Sequence, residues 1–212
     1  MRIIAGKYRG RNLKSPPSMQ VRPTSDRLRE TLFNVIAPRI EGTRFLDLCA
    51  GSGAIGIEAL SRGAAHVTFV DRSRKMCGLV ESNLDLVGIP ESETEVVQAE
   101  AEEFLRRPLT RRGGAGTPPQ VNPWDLIYFD PPYTTDYFGV MKMFGEQTQR
   151  LLGETGLLVI EHHHKNDLPE QVGNISRQRA LKQGDSVLSF YEVEQNRKGL
   201  KDGPLTPGAN RA

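Results

Sequence analysis

The sequence predicts an α/β fold with a mostly parallel sheet, and three observations predict it. An apolar run, Phe45-Leu46-Asp47-Leu48-Cys49, passes into the glycine turn Gly51-Ser52-Gly53-Ala54-Ile55-Gly56 and then a helix, Ile57 to Ser61. Strand, glycine turn and helix in that order are the parts of a nucleotide-type site. A second apolar run, Val67 to Asp71, ends in an acid 18 residues beyond Gly53, the right distance for gripping ribose hydroxyls. A third, Trp124 to Phe129, reads as a buried strand stopped by Asp130-Pro131-Pro132-Tyr133. Proline donates no ladder hydrogen bond, so this strand ends abruptly at a carboxylate and an aromatic ring.

Taken in order, residues 1–15 alternate loosely, with Gly6 and Gly10 as punctuation, and predict a small hairpin carrying Lys7, Arg9, Arg11 and Lys14. Ser15-Pro16-Pro17 is a linker, and residues 1–21 form a basic extension. Thr24 or Ser25 suits the cap of a helix whose apolar face is Leu28, Leu32, Phe33 and Ile36. Arg22 and Thr24 stand just before that helix, where a ligand carboxylate is welcome; a plain capped helix reads equally well. Arg74 to Val87 predicts a helix and Glu95 to Gln98 a third strand, left by Ala99-Glu100-Ala101. Residues 106–123, with four arginines, Gly113-Gly114 and Pro118-Pro119, read as a mobile surface insertion. Tyr137 to Leu152 predicts a helix and Gly156 to Glu161 a fifth strand. Ile175 to Leu181 and Ser186 to Val193 predict a closing antiparallel pair. The main domain spans 22–195, and the polar tail 196–212 reads as disordered.

At 212 residues the chain is one domain with additions, and it is read as a monomer. Hydrophobic content is 37%, low for a globular chain, with the deficit in ends and loops. Cys49 and Cys77 make neither a disulfide framework nor a zinc site and point to a reducing, cytoplasmic setting. Arg2 and Lys7 enclose only four uncharged residues, so there is no signal-peptide core, and no run approaches the roughly 18 apolar residues of a membrane span. Residues 1–40 hold nine Lys/Arg against Asp26 and Glu30, or +7 of a net +2, leaving −5 for the rest. Such asymmetry suggests a nucleic-acid-facing end. His162-His163-His164 invites a metal, but successive residues on a strand point to opposite faces, so no metal is expected.

Two cofactors fit the glycine turn and Asp71: a nicotinamide dinucleotide or S-adenosylmethionine. An acid four residues before the glycines, Asp47, suits an ammonium, which a dinucleotide lacks; a buried acid tied to nearby backbone is the bland alternative. Glu100 and the Ala101 N–H suit an adenine ring, or Glu100 is simply an acid at a helix N-terminus. At the Pro-Pro corner, Asp130 and the Pro131 carbonyl are acceptors on a stiff backbone, able to hold the two N–H bonds of an exocyclic amine. Tyr133 suits stacking on the ring that carries the amine.

The stretch Asp47 to Ala64, with Arg22-Pro23-Thr24 before it and Asp130-Pro131-Pro132-Tyr133 after it, resembles the bacterial 16S ribosomal RNA guanine-N2 methyltransferases over residues 1–193. The Asp-Pro-Pro-Tyr motif is shared with DNA adenine-N6 methyltransferases, a runner-up that lacks room here for a target-recognition region. The sequence also admits a non-catalytic RNA-binding assembly factor and a small NAD-dependent oxidoreductase. The resemblance implies a class I methyltransferase fold, seven strands with one antiparallel and helices on both faces. It implies S-adenosylmethionine along Asp47, Gly51 and Gly53, with Asp71 on the ribose, Arg72 beside it, and Glu100 and Ala101 near the adenine. It implies Asp130, Pro131 and Tyr133 as catalytic residues, Lys7, Arg9, Arg11, Lys14 and Arg22 on RNA, and 16S rRNA or the small-subunit particle as partner. Many relatives carry Asp where this chain has Glu100.

Overall fold

The computed structural model describes residues 1–16, 24–107, 110–111, 120–121, 123–132 and 137–194. Arg22, Tyr133, most of the 106–123 insertion and the 196–212 tail lie outside the described residues. The strands of the main sheet are β1 (Arg44–Leu48), β2 (His66–Asp71), β3 (Thr94–Gln98), β4 (Trp124–Phe129), β5 (Leu152–His163), β6 (Gln171–Val172), β7 (Ile175–Gln183) and β8 (Ser186–Val193); a separate antiparallel pair, Thr110–Arg111 with Gln120–Val121, lies within the expected insertion. The main sheet has the order β3-β2-β1-β4-β5-β8-β7-β6. From β3 to β5 every pairing is parallel; β8 runs antiparallel between β5 and β7. The expected seven strands become eight through β6, a two-residue strand antiparallel to β7. The chain order reverses between β1 and β4, and a ligand crevice belongs at the carboxyl ends of those strands.

Side chains alternate across the sheet, and each face carries its own core. Phe45, Val67, Phe69, Leu126 and Val159 pack with α1 (Thr24–Ile36), α2 (Ala54–Ser61) and α3 (Arg74–Val87). Leu46, Leu48, Val70, Ile127 and Ile160 pack on the opposite face with α4 (Ala101–Arg106), α5 (Tyr137–Glu146) and α6 (Thr148–Leu151). The expected insertion overlaps α4 at Arg106, which pairs with Glu102 one turn back.

Local chemistry sets the boundaries. Ser73 caps α3 by accepting from Met76 N–H, and Gly88 ends it in the left-handed conformation. The single helix expected over 137–152 is broken at Gln147. There the Thr148 hydroxyl bonds the Phe144 and Gly145 carbonyls, at 2.8 and 3.1 Å, and such a bond competes with the helix ladder. Gly56 is required by packing: a Cβ there would lie 2.3 Å from the Phe69 ring.

The N-terminal hairpin is less regular than expected. Arg2 and Asn12 make its one described bridge, with Leu13 N–H on the Met1 carbonyl at 2.8 Å. Its apolar residues Ile3, Tyr8 and Leu13 are buried in the α1–α3 core. The anchor is Glu58 of α2, fully buried. Its carboxylate accepts from the Ile4 and Ala5 N–H groups, at 2.7 and 3.0 Å, and from Arg62 Nε at 2.8 Å. The buried Arg29 adds a bond from its guanidinium to the Arg2 carbonyl at 2.6 Å. The hairpin shares the core of the main domain.

Candidate active site

A cavity of about 1030 Å³ opens at the carboxyl ends of β1, β2, β4 and β5. One end is walled by Gly51, Asp71, Arg72, Glu100 and Ala101, the other by Tyr128, Asp130, Pro131, Pro132, Glu161 and Ser186. Met1, Ser15 and Pro16 from the two ends of the basic hairpin also line it. Of the expected cofactor residues, Gly51, Asp71, Arg72, Glu100 and Ala101 therefore share one space with Asp130 and Pro131 of the expected amine-binding corner.

Asp71 ends β2 and organises the first end. Its carboxylate accepts from Gly51 N–H at 2.9 Å and Ser73 N–H at 2.8 Å, fixing the glycine turn against the next loop. Each oxygen keeps a lone pair for a ligand hydroxyl. Glu100 stands at the start of α4, exposed and paired with Arg72 at 3.7 Å. Cys49 holds φ at 66° although it is not glycine, a strained backbone in the cavity wall. Burial, then the Asp71 carboxylate, pushes its thiol up to about 12, so it stays a neutral wall rather than a nucleophile.

Asp47 and Gly53 stand apart from this grouping, behind the cavity wall. Asp47 is 1% exposed, and its carboxylate accepts from Gly56 N–H at 2.9 Å, holding the start of α2 onto β1. Burial raises its pKa to about 7. Gly53 caps α2 and packs against Val80 and Phe69. Both shape the turn that carries Gly51 into the cavity.

The second end holds two carboxylates side by side. Asp130 follows Phe129 of β4, and Glu161 follows Ile160 of β5; Phe129 and Ile160 are partners in register. Asp130 is exposed to the cavity. Partial desolvation by the surrounding protein, then the charges of Glu161 and Asp47, push its pKa above the ordinary carboxylate range. No donor among the described residues bonds the Asp130 carboxylate. Glu161 is held by the Tyr128 hydroxyl at 2.5 Å and the Ser186 hydroxyl at 3.0 Å. Desolvation raises its pKa, and those two bonds oppose the rise. Beside a rigid acceptor carbonyl at Pro131, this end suits an N–H-rich planar edge.

The family described as "Conserved hypothetical protein 95" matches residues 1–192. The chain belongs to this family. It is 35% identical over 200 residues to Ribosomal RNA small subunit methyltransferase D of Escherichia coli K12, covering 92% of this chain and 90% of that one. It is 36% identical over 192 residues to "Putative rRNA methyltransferase YlbH" of Bacillus subtilis, covering 91% and 98%. The solved structure of "Putative methyltransferase yhhF" from Escherichia coli superposes with a TM-score of 0.74 at 32% identity, covering 92% and 98%. The fold is that of the class I methyltransferases.

Within this family member, the hairpin cations divide. Lys14 Nζ bonds the Ser82 hydroxyl at 2.7 Å, and Arg11 lies over Tyr8 and bonds the Val87 carbonyl. Arg9 borders a second depression with Arg2 and Arg27, and Lys7 is exposed over the Tyr8 ring. Residue types and spacing alone did not single out Glu58, Glu161, Tyr128 or Ser186; the only signal was that each acid sits in an otherwise apolar stretch. The histidines also depart from the expected alternation. His162 is buried on Ser189, but β5 ends at His163, so His163 and His164 stack at 4.4 Å. With Asp185 they bring ligand atoms within 4.8 Å of one another, away from the cavity lining.

Proposed function

We propose that the chain transfers a methyl group from S-adenosylmethionine to the exocyclic N2 amine of one guanine in 16S ribosomal RNA, acting as a monomer in the cytoplasm. The observation that carries this reading is the single cavity joining the Gly51–Asp71–Glu100 end to the Asp130–Pro131 end, in a chain related along its length to a small-subunit rRNA methyltransferase. The residues fit the cofactor: Asp71 offers acceptors for ribose hydroxyls, Glu100 and the Ala101 backbone flank the adenine position, and Gly51 admits close approach. Asp47 acts behind them by holding the turn. When bound, S-adenosylmethionine supplies a methyl carbon activated by the adjacent sulfonium.

The chain's part is placement. Asp130 and the Pro131 carbonyl accept the two N–H bonds of the amine, turning its nitrogen lone pair out of conjugation with the ring and toward the cofactor end. Tyr133, outside the described residues, is the stacking ring in this reading. Alignment of this kind can contribute roughly 7–11 kcal/mol in favourable cases. Because transfer leaves the amine positively charged, a proton is shed afterwards, and Asp130 need not be a strong base. A paired guanine does not enter such a corner, so the target is unpaired or flipped out. Lys7 and Arg9 on the outer face of the hairpin hold the RNA backbone, Arg11 and Lys14 brace the hairpin while adding to its positive field, and Arg22, outside the described residues, is a further RNA contact in this reading.

The test is labelled methyl transfer to unmodified small-subunit RNA and to small-subunit particles, with the product nucleotide mapped. Label at N2 of one guanine is the expected result; label at an adenine, or none with either substrate, refutes it.

A further inference from the structure

An amine-binding corner does not by itself choose guanine. Adenine and cytosine also carry exocyclic amines. What separates them is the ring nitrogen beside the amine: guanine N1 bears a proton, whereas adenine N1 and cytosine N3 are acceptors. A site that selects guanine needs a second acceptor next to the first.

The structure assigns that second acceptor to Glu161: we infer that its carboxylate receives the guanine N1–H while Asp130 and Pro131 receive the N2 amine, making Glu161 the specificity-determining residue. This rests on the reading of the cavity given above.

Three observations carry it. The first is register: Phe129 and Ile160 are partners on adjacent parallel strands, so Asp130 and Glu161 emerge side by side at the same edge. Such strands are about 4.8 Å apart, and two neighbouring carboxylates can reach two adjacent N–H groups on one base edge. The second is orientation. Tyr128 lies two residues before Asp130, and its hydroxyl binds one Glu161 oxygen at 2.5 Å while Ser186 binds the other at 3.0 Å. The carboxylate is held from both sides, and both groups that hold it are donors, so its remaining lone pairs are free to accept. The third is location: Tyr128, Asp130, Pro131, Glu161 and Ser186 all line the cavity. An adenine in the same place would set its N1 lone pair against a carboxylate oxygen.

The experiment compares wild type with Glu161→Gln on small-subunit transcripts in which the mapped target is guanosine or 2-aminopurine ribonucleoside. The latter keeps the N2 amine and lacks the N1 proton. Wild type is expected to favour guanosine by roughly 10- to 100-fold in kcat/KM, the size of one charge-assisted hydrogen bond. Glu161→Gln keeps only a neutral acceptor, so it should fall on guanosine and narrow the guanosine preference several-fold, with S-adenosylmethionine affinity by calorimetry within about twofold of wild type. Equal wild-type rates on the two substrates, or undiminished discrimination by Glu161→Gln, overturn this inference and leave guanine-N2 transfer standing. Loss of S-adenosylmethionine binding by Glu161→Gln makes Glu161 part of the framework and also overturns it. A wild-type product mapped away from guanine N2 overturns both readings.

Discussion

Glu58 and Asp130 are two acids embedded in the same fold and put to opposite uses. Glu58 lies on α2, fully buried, with its oxygens taken up by two hairpin N–H groups and Arg62. Asp130 sits at the end of β4, where nothing among the described residues donates to its carboxylate and a second acid, Glu161, stands beside it. A charge met by internal donors holds the protein together. A charge left without them stands open at a cavity, where water solvates it until a ligand supplies the hydrogen bonds.

The largest expected effect tests the first half of that contrast. Glu58→Ala leaves two hairpin N–H groups and Arg62 without their partner and should lower unfolding stability by about 3–5 kcal/mol, read from denaturant midpoints. An unchanged midpoint would mean that the hairpin is held by its apolar contacts alone.

Asp130→Ala tests the second half. It should reduce methyl transfer by about 100- to 1000-fold while leaving stability unchanged or raised, because it removes a charge without internal donors. Destabilisation comparable to that of Glu58→Ala would show that Asp130 too is a framework acid.

The contrast sharpens with pH. Asp130 accepts N–H bonds more strongly when ionised, and its pKa is raised by partial desolvation and by Glu161 and Asp47. Activity should therefore fall with decreasing pH through a value above the ordinary carboxylate range, as read in a kcat/KM profile; a limb near pH 4 would contradict this. Asp47 gives an opposite slope in stability. Its folded pKa of about 7 exceeds the unfolded value of about 3.9. Its contribution to stability is therefore fully present below the unfolded value and is lost as pH rises to about 7, by at most ~1.4 kcal/mol per pH unit. Asp47→Asn should gain on wild type in denaturant midpoints between pH 5 and 8.

The smallest effect concerns the hairpin's outer face. Arg9→Ala should weaken RNA binding modestly and reduce the salt slope of log affinity by about one, with stability unchanged. A fall in the denaturant midpoint instead would place Arg9 with Glu58 among the anchoring groups.

Much of the fold is legible in the residues alone. The bounds of α3 match the expected 74–87 because Ser73, Gly88 and an apolar stripe are all local signals. The strands β1, β2 and β4 and the proline stop after Asp130 are legible for the same reason. Other features are not. The 106–123 stretch carries no periodicity to mark where α4 ends. The break at Gln147 comes from one hydroxyl competing with the helix ladder.

The sequence by itself determined most of the strands and helices, where the glycine turn lies, and that a carboxylate ends β4 beside a rigid corner. These depend on periodicity, caps and proline, which act over a few residues. Only the tertiary structure decided what each acid does. Glu58 meets its hairpin partners across 53 and 54 residues, and Glu161 meets Tyr128 and Ser186 across 33 and 25. Asp47 is turned from the cavity to its own α2 by the face of the sheet it occupies. A carboxylate's role depends on which donors and which charges surround it, and those are assembled only when the sheet brings distant strand ends to one edge.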